Sequence, residues 1–201
     1  MQFLGRIIII CLLSLVNVNI AFSENFKHDL RYYHKIKLPY SSNQLKKYYY
    51  WGEYGLYLSP NMPFPLRFTN KEFSFKPKLF EYLAKTTFYF PHCYFYYKDI
   101  LYKGIIQMAK GENDNKVFTF QLYSYDNKGN LIDAVLLYKI VNGEISYWND
   151  FVIKPDGKIL IKQHQQQNLF EPDENPKDNK IYTKEKKYQM STSGIFNSIK
   201  D

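Results

Sequence analysis

Cysteine is scarce in this chain: 201 residues hold two, Cys11 and Cys93. Cys11 lies inside an apolar N-terminal run, so a chain that sheds that run keeps one thiol and can form no intrachain disulfide. Arginine is nearly absent as well; beyond Arg6 there are Arg31 and Arg67. Arginine is the side chain suited to bidentate recognition of phosphates and base edges, which makes nucleic acid a poor match for the basic charge. No apolar stretch reaches the roughly 20 residues needed to cross a bilayer as a helix. No Asn-x-Ser/Thr acceptor, Gly-x-Ser-x-Gly elbow, phosphate-cradling glycine loop or His-Glu-x-x-His pair occurs. The four histidines, His28, His34, His92 and His164, lack metal-ligand spacing. The sequence therefore predicts no catalytic residue, no metal ligand and no cofactor.

What is present begins with a leader. Arg6 supplies a positive start, and the run from Ile7 to Val16 is too short for a membrane helix but fits the core of a secretory signal. Asn17 and Asn19 interrupt it, and Ala21-Phe22-Ser23 offers small residues where a signal peptidase reads. Cleavage is expected after Ser23. Cys11 sits mid-run, where a lipoprotein cysteine does not, so the product is read as unlipidated, with no transmembrane segment after cleavage. The remaining 178 residues suit a single domain, 24–201, with one core. A bridge-free exported domain of this size is at home in a bacterial periplasm, or secreted.

The net charge is +8, and +7 once Arg6, the leader's one charged residue, is lost. Lysine carries nearly all of it. AT-rich codons supply Lys, Asn, Ile and Tyr, which is one source of this excess; attraction to an acidic partner is the other.

The mature chain divides into an irregular aromatic part, 24–101, and a regular part, 102–199. In the first, residues 48–51 and 54–57 suggest short strands, and Ser41-x-x-Gln44 reads as a capping box opening a short helix. Three prolines make 59–65 a loop, and Pro77 with Leu79, Phe80 and Leu83 predicts a helix over 77–85. In the second, strands are expected at 102–109, 117–125, 131–140, 145–153, 158–162, 181–190 and 195–199. Turns at 111–115, Asp126-Asn-Lys-Gly129, Asn142-Gly143, Lys154-Pro-Asp-Gly157 and Ser193-Gly194 punctuate them. Val117, Thr119, Gln121 and Tyr123 fall on one face and Phe118, Phe120 and Leu122 on the other. Residues 163–168 and 171–179 read as polar loop. Turns every 10–14 residues leave no room for crossover helices. The predicted class is α+β, mostly β: an antiparallel meander over the C-terminal half with one or two short helices in the N-terminal half.

Chemistry finds little purchase. His92-Cys93 suggests a dyad, yet adjacent strand residues point to opposite faces; a buried thiol beside a loop histidine is the expectation. Asp126 and Asp156 sit in turns that they cap themselves, while Asp133 and Asp150 lie in strands. Aromatics make up 19% of the residues, more than a core needs. The densest clusters, Tyr48, Tyr49, Tyr50 and Trp51, then Tyr96 and Tyr97, then Tyr147 and Trp148, are the candidate binding surface, with Lys46, Lys47, Lys98 and Lys103 between them.

The segment from Tyr123 to Asp133, then Asp150 to Ile161 and a lysine-rich closing hairpin, resembles small exported bacterial β-sheet proteins, some of them periplasmic immunity proteins. The likeness spans residues 102–199 and carries over no functional residue. It implies a non-enzymatic protein that occludes a protein partner with an acidic surface. Two other readings stand beside it: a module holding peptidoglycan or another anionic envelope glycan, and an envelope enzyme with a scattered site.

Overall fold

A computed structural model describes residues 30–52, 55–59, 86–110, 116–141, 145–167 and 180–200. The leader, the helix expected at 77–85 and the turns expected at 111–115 and Asn142-Gly143 lie outside them. In chain order the elements are β1 (His34–Lys35), β2 (Tyr40–Ser41), α1 (Ser42–Leu45), β3 (Tyr49–Gly52), β4 (Gly55–Leu58), β5 (Thr86–Tyr97), β6 (Ile100–Lys110), β7 (Lys116–Tyr125), β8 (Leu131–Val141), β9 (Ile145–Ile153), β10 (Lys158–Gln167), β11 (Ile181–Met190) and β12 (Phe196–Ile199). The described residues are mostly strand, with one short α-helix among them in the N-terminal part. No helix among the described residues is long and apolar enough to cross a membrane.

Strands β5 to β12 form one antiparallel meander, each bonded to its sequence neighbour. β1 joins its β5 edge in parallel, and β3 and β4 make a separate hairpin. The turns explain the meander. Asp126 Oδ1 accepts from the backbone N–H groups of Lys128 and Asn130 at 2.8 Å, and Gly129 takes φ 85°. Asp156 Oδ1 accepts from Lys158 N at 3.0 Å, and Gly157 takes φ 83°. These are the self-capped turns the sequence announces. The β5–β6 turn is different: Lys98 and Asp99 both adopt positive φ, 47° and 63°, with no glycine to mark it.

The junction of β8 and β9 bends the sheet. It is bonded at Ile140–Trp148 and Val141–Tyr147, and farther along β9 turns to β2 as its partner, through Tyr40–Ile153 and Ser41–Val152. One half-sheet thus folds towards the other. Phe95, Tyr102, Phe118, Phe120 and Leu122 from β5–β7 share a core with Phe151, Ile153, Ile159, Ile161, Tyr188 and Phe196 from β9–β12. Aromatic pairs knit the halves: Phe120 stacks on Phe151 at 5.6 Å and Tyr102 meets Phe196 edge-on at 5.8 Å. Such pairs contribute about 0.5–1.5 kcal/mol each beyond area burial. Three hydrogen bonds tie the far margins together: Tyr97 Oη to Asp156 O at 2.8 Å, Ser124 Oγ to Gly194 O at 2.6 Å, and Phe196 N to Asp133 Oδ2 at 2.9 Å.

The two faces expected for β7 are both buried. Phe118, Phe120 and Leu122 line the core, while Thr119, Gln121 and Tyr123 share the opposite face with Lys103, Ile105 and Gln107 of β6. Burial of amides there is offset by a hydrogen-bonded row: Thr119 Oγ1 donates to Gln107 Oε1 at 3.0 Å, Gln121 donates to Gln107, and Tyr123 Oη donates to Gln121 Oε1 at 2.7 Å. The Lys103 ammonium lies over the rings of Tyr33 and Tyr125, at 5.1 and 4.9 Å.

Candidate binding surface

The structure scatters the predicted aromatics. Tyr49 is core, its ring 4.2 Å from that of Phe118. Burial holds its hydroxyl far above the ordinary phenol value, and Tyr138 and the Asp150 charge push the same way. Tyr48 is half-buried against the His92 ring. Tyr97 is spent on Asp156, and Trp148 is half-buried against the His164 ring at 5.1 Å. Tyr50, Tyr96 and Tyr147 are the exposed members; the Trp51 side chain is outside the described residues.

His92 and Cys93 need a correction. His92 is not in a loop but in β5, at a bulge between Pro91 and Cys93. There two residues oppose one, so strict alternation fails: the His92 ring meets Phe120 edge-on, and Cys93 Sγ and the Phe120 ring flank Gly104. Proximity does not make a nucleophile. Burial pushes the thiol up, and burial with the His34 charge lowers His92 to about 3. Both are neutral at physiological pH, and His92 Nε2 is hydrogen-bonded to the Tyr40 hydroxyl at 2.7 Å.

Asp150 gathers the densest polar cluster. Ser42 Oγ and Lys46 Nζ donate to its Oδ1 at 3.0 and 3.1 Å, and His164 Nε2 lies 3.5 Å from Oδ2. Partial burial raises the carboxyl, but the bonds from Lys46 and Ser42 and the neighbouring charges outweigh it and hold Asp150 below the usual carboxylate range. A serine, a histidine and an aspartate are present, yet Ser42 donates to the acid rather than to an imidazole, the reverse of what a nucleophile needs. The cluster fastens α1 to β9. Among the described residues no group of three or more His, Cys, Asp or Glu side chains is placed to hold a metal.

Residues 163–168, read as loop, also need correcting: Gln163–Gln167 continue β10, bonded to β9 on one side and β11 on the other. The three strands outrun the core, and the register sorts their side chains into two faces. One carries the rows Ser146–Gln166–Ile181, Trp148–His164–Thr183 and Asp150–Lys162–Glu185. Its acids are answered, Asp150 as above and Glu185 by Lys162 and Lys187 at 3.7 and 3.9 Å. The other face carries Tyr147–Gln165–Tyr182, then Asn149–Gln163–Lys184, then Phe151–Ile161–Lys186, running back to the core. Among the described residues it holds no carboxylate. Tyr182 is 59% exposed and Tyr147 37%. Lys180 sits over the Tyr182 ring and Lys139 over the Tyr147 ring, both at 5.4 Å. Two strand spacings separate the tyrosines by about 10 Å. The buried Asn149 amide nitrogen finds no hydrogen-bond partner among the described residues. Tyr182 escaped the sequence reading because it stands alone rather than in an aromatic run, and only the register brings it level with Tyr147.

Comparison of the chain with protein-family models, with curated proteins and with solved structures finds no match.

Proposed function

We propose that this is an exported, non-enzymatic protein that acts by holding a protein partner with an acidic surface, through the Tyr147–Gln165–Tyr182 face of β9–β11. The observation that carries the reading is the sorting of charge: acids on one side of the projecting strands are neutralised in place, while Lys184 and Lys186 on the other have no ion-pair partner among the described residues. Tyrosine gives such a face rigid, low-entropy contact area with a polar tip, and lysines steer an acidic partner to it. Cys93 and His92, the strongest chemical pair in the sequence, are neutral and packed away, which fits a protein that works by contact.

The test is affinity capture of envelope proteins on the tagged chain, wild type beside a Lys184→Glu, Lys186→Glu double variant. A one-to-one complex that weakens with rising salt and is lost in the variant is the expected result. Retention on isolated cell wall with no protein captured transfers the surface to a glycan and overturns the reading. So does capture that ignores both salt and the charge reversal.

A further inference from the structure

β11 is ten residues long, but β12 covers one end of it, pairing Lys187–Met190 with Phe196–Ile199. Along the rest, Ile181 to Lys186, no strand among the described residues pairs with the side opposite β10. The direction of each backbone group there follows from alternation. Met190 N–H donates to Gly157 O, towards β10, and Ser191 N–H donates to Ile195 O, towards β12. Neither pairing of β11 contains a register shift. Even-numbered residues therefore bond to β10, and the N–H and C=O groups of Ile181, Thr183 and Glu185 face the open edge.

We propose that this open edge receives an extended, acidic segment of the protein partner as an added antiparallel strand. The inference rests on the protein-binding reading above and deepens it by naming the mode of recognition. Tyr182, Lys184 and Lys186 bond to β10, so opposite an added strand they stand at non-hydrogen-bonded positions, where facing side chains come closest. The charge-matched occupant, read from its N-terminus, runs acid–x–acid–x–aromatic, with acids opposite Lys186 and Lys184 and the ring opposite Tyr182. Its main chain completes the ladder left open at Thr183 and Glu185.

A second copy of this chain fits badly. An antiparallel self-pairing that keeps outward residues opposed must centre on Tyr182, Thr183, Lys184 or Glu185. Those registers place Lys180 opposite Lys184, Lys186 opposite Lys180, Lys184 opposite itself, or Lys184 opposite Lys186. Like charges directly opposed are destabilising, so the lysines disfavour the homotypic pairing and favour an acidic strand at the edge.

The probe is a capped synthetic peptide with glutamates at alternate positions, threonine between them and a tyrosine at its C-terminal end, set against a peptide of identical composition with the glutamates adjacent. Binding is followed by amide hydrogen exchange on the full chain. The expected result is slowed exchange at Thr183 and Glu185 with the alternating peptide alone. Thr183→Pro deletes an outward donor while sparing the β10 ladder, and proline is tolerated on an edge. It should weaken peptide binding roughly fivefold or more, while Thr183→Val, which loses only the hydroxyl bond to His164, should not. A circular dichroism melt verifies that the proline variant folds; if it does not, a peptide N-methylated at alternate residues provides the same block from the other side. If neither peptide slows exchange, the lysines only guard the edge against aggregation and the proposal fails. If the Thr183→Pro protein captures the envelope partner as well as wild type, the added strand is overturned while the protein-binding reading stands.

Discussion

Single residues show how closely the side chains of β5, β6 and β7 are fitted. A methyl group added at Gly104 would lie 2.5 Å from the Phe120 ring and 2.6 Å from Cys93 Sγ. Both neighbours are buried and cannot retreat, so Gly104→Ala should lower stability by about 1–3 kcal/mol in a denaturant titration. His92 sets an acid limit. Its folded-state value is depressed to about 3, so below the ordinary histidine value the unfolded chain takes up a proton that the folded chain refuses. His92 should contribute a fall in stability with decreasing pH between about 6.5 and 3, on the order of 1 kcal/mol per pH unit. His92→Gln should flatten that slope; an unchanged slope would show that other groups set it. At this scale the sequence foretold the turn aspartates, because Asp126 and Asp156 act on backbone two to four residues away. It did not foretell the bulge at His92, which depends on how β5 is paired and not on its own residues.

Among the elements, the short ones lean on side-chain bonds and the long ones on pairing. α1 is four residues long and keeps its place through local and distant partners. The Ser41 N–H donates to Gln44 Oε1 at 2.7 Å, the Gln44 amide donates to Pro39 O at 3.2 Å, and Asp150 holds Ser42 and Lys46. Asp150→Ala should free this turn, seen as faster amide exchange over 42–48 with β9 unchanged. β12 depends similarly on Asp133, whose carboxylate receives Phe196 N–H in a buried setting. Asp133→Ala leaves that donor unmet at a cost of about 1–3 kcal/mol, and exchange at Phe196 to Ile199 should quicken before global unfolding. The capping box was legible because its signal is contained in four residues. The C-terminal end of β10 was not. Hydrophobic alternation reports burial, and Gln163–Gln167 project past the core, so their strand state rests on hydrogen bonds to β9 and β11 that leave no mark on side-chain polarity.

On the scale of the whole molecule, the charge excess becomes a surface only through the register. Lys139, Lys180, Lys184 and Lys186 are distributed over two strands and a loop end, and folding gathers them beside Tyr147 and Tyr182 on a face that holds no carboxylate among the described residues. Partner binding should therefore fall as ionic strength shortens the reach of these charges, and Tyr182→Ser should weaken it without altering the melting temperature, since that ring packs on nothing in the core. Export carries its own check: mass analysis of the protein recovered from the cell envelope should show a chain beginning at Glu24, and an intact N-terminus at Met1 would remove the leader from the proposal.

The antiparallel class, the strand order from β6 to β12 and the turns at Asp126 and Asp156 were legible in order along the chain, because hairpins are local: a turn chosen by Asp and Gly and two flanking runs of alternating side chains suffice, whereas β5, within the part read as irregular, and its glycine-free turn at Lys98 and Asp99 were not. The sequence by itself also settled that one thiol remains in the described part of the chain, at Cys93. The fold of the sheet upon itself at β8–β9, the burial of Tyr49 and His92, the two faces of the projecting strands and the open edge of β11 were decided in three dimensions. Each depends on which distant residues stand opposite one another, and register between strands far apart in sequence is a property of packing, not of any segment read alone.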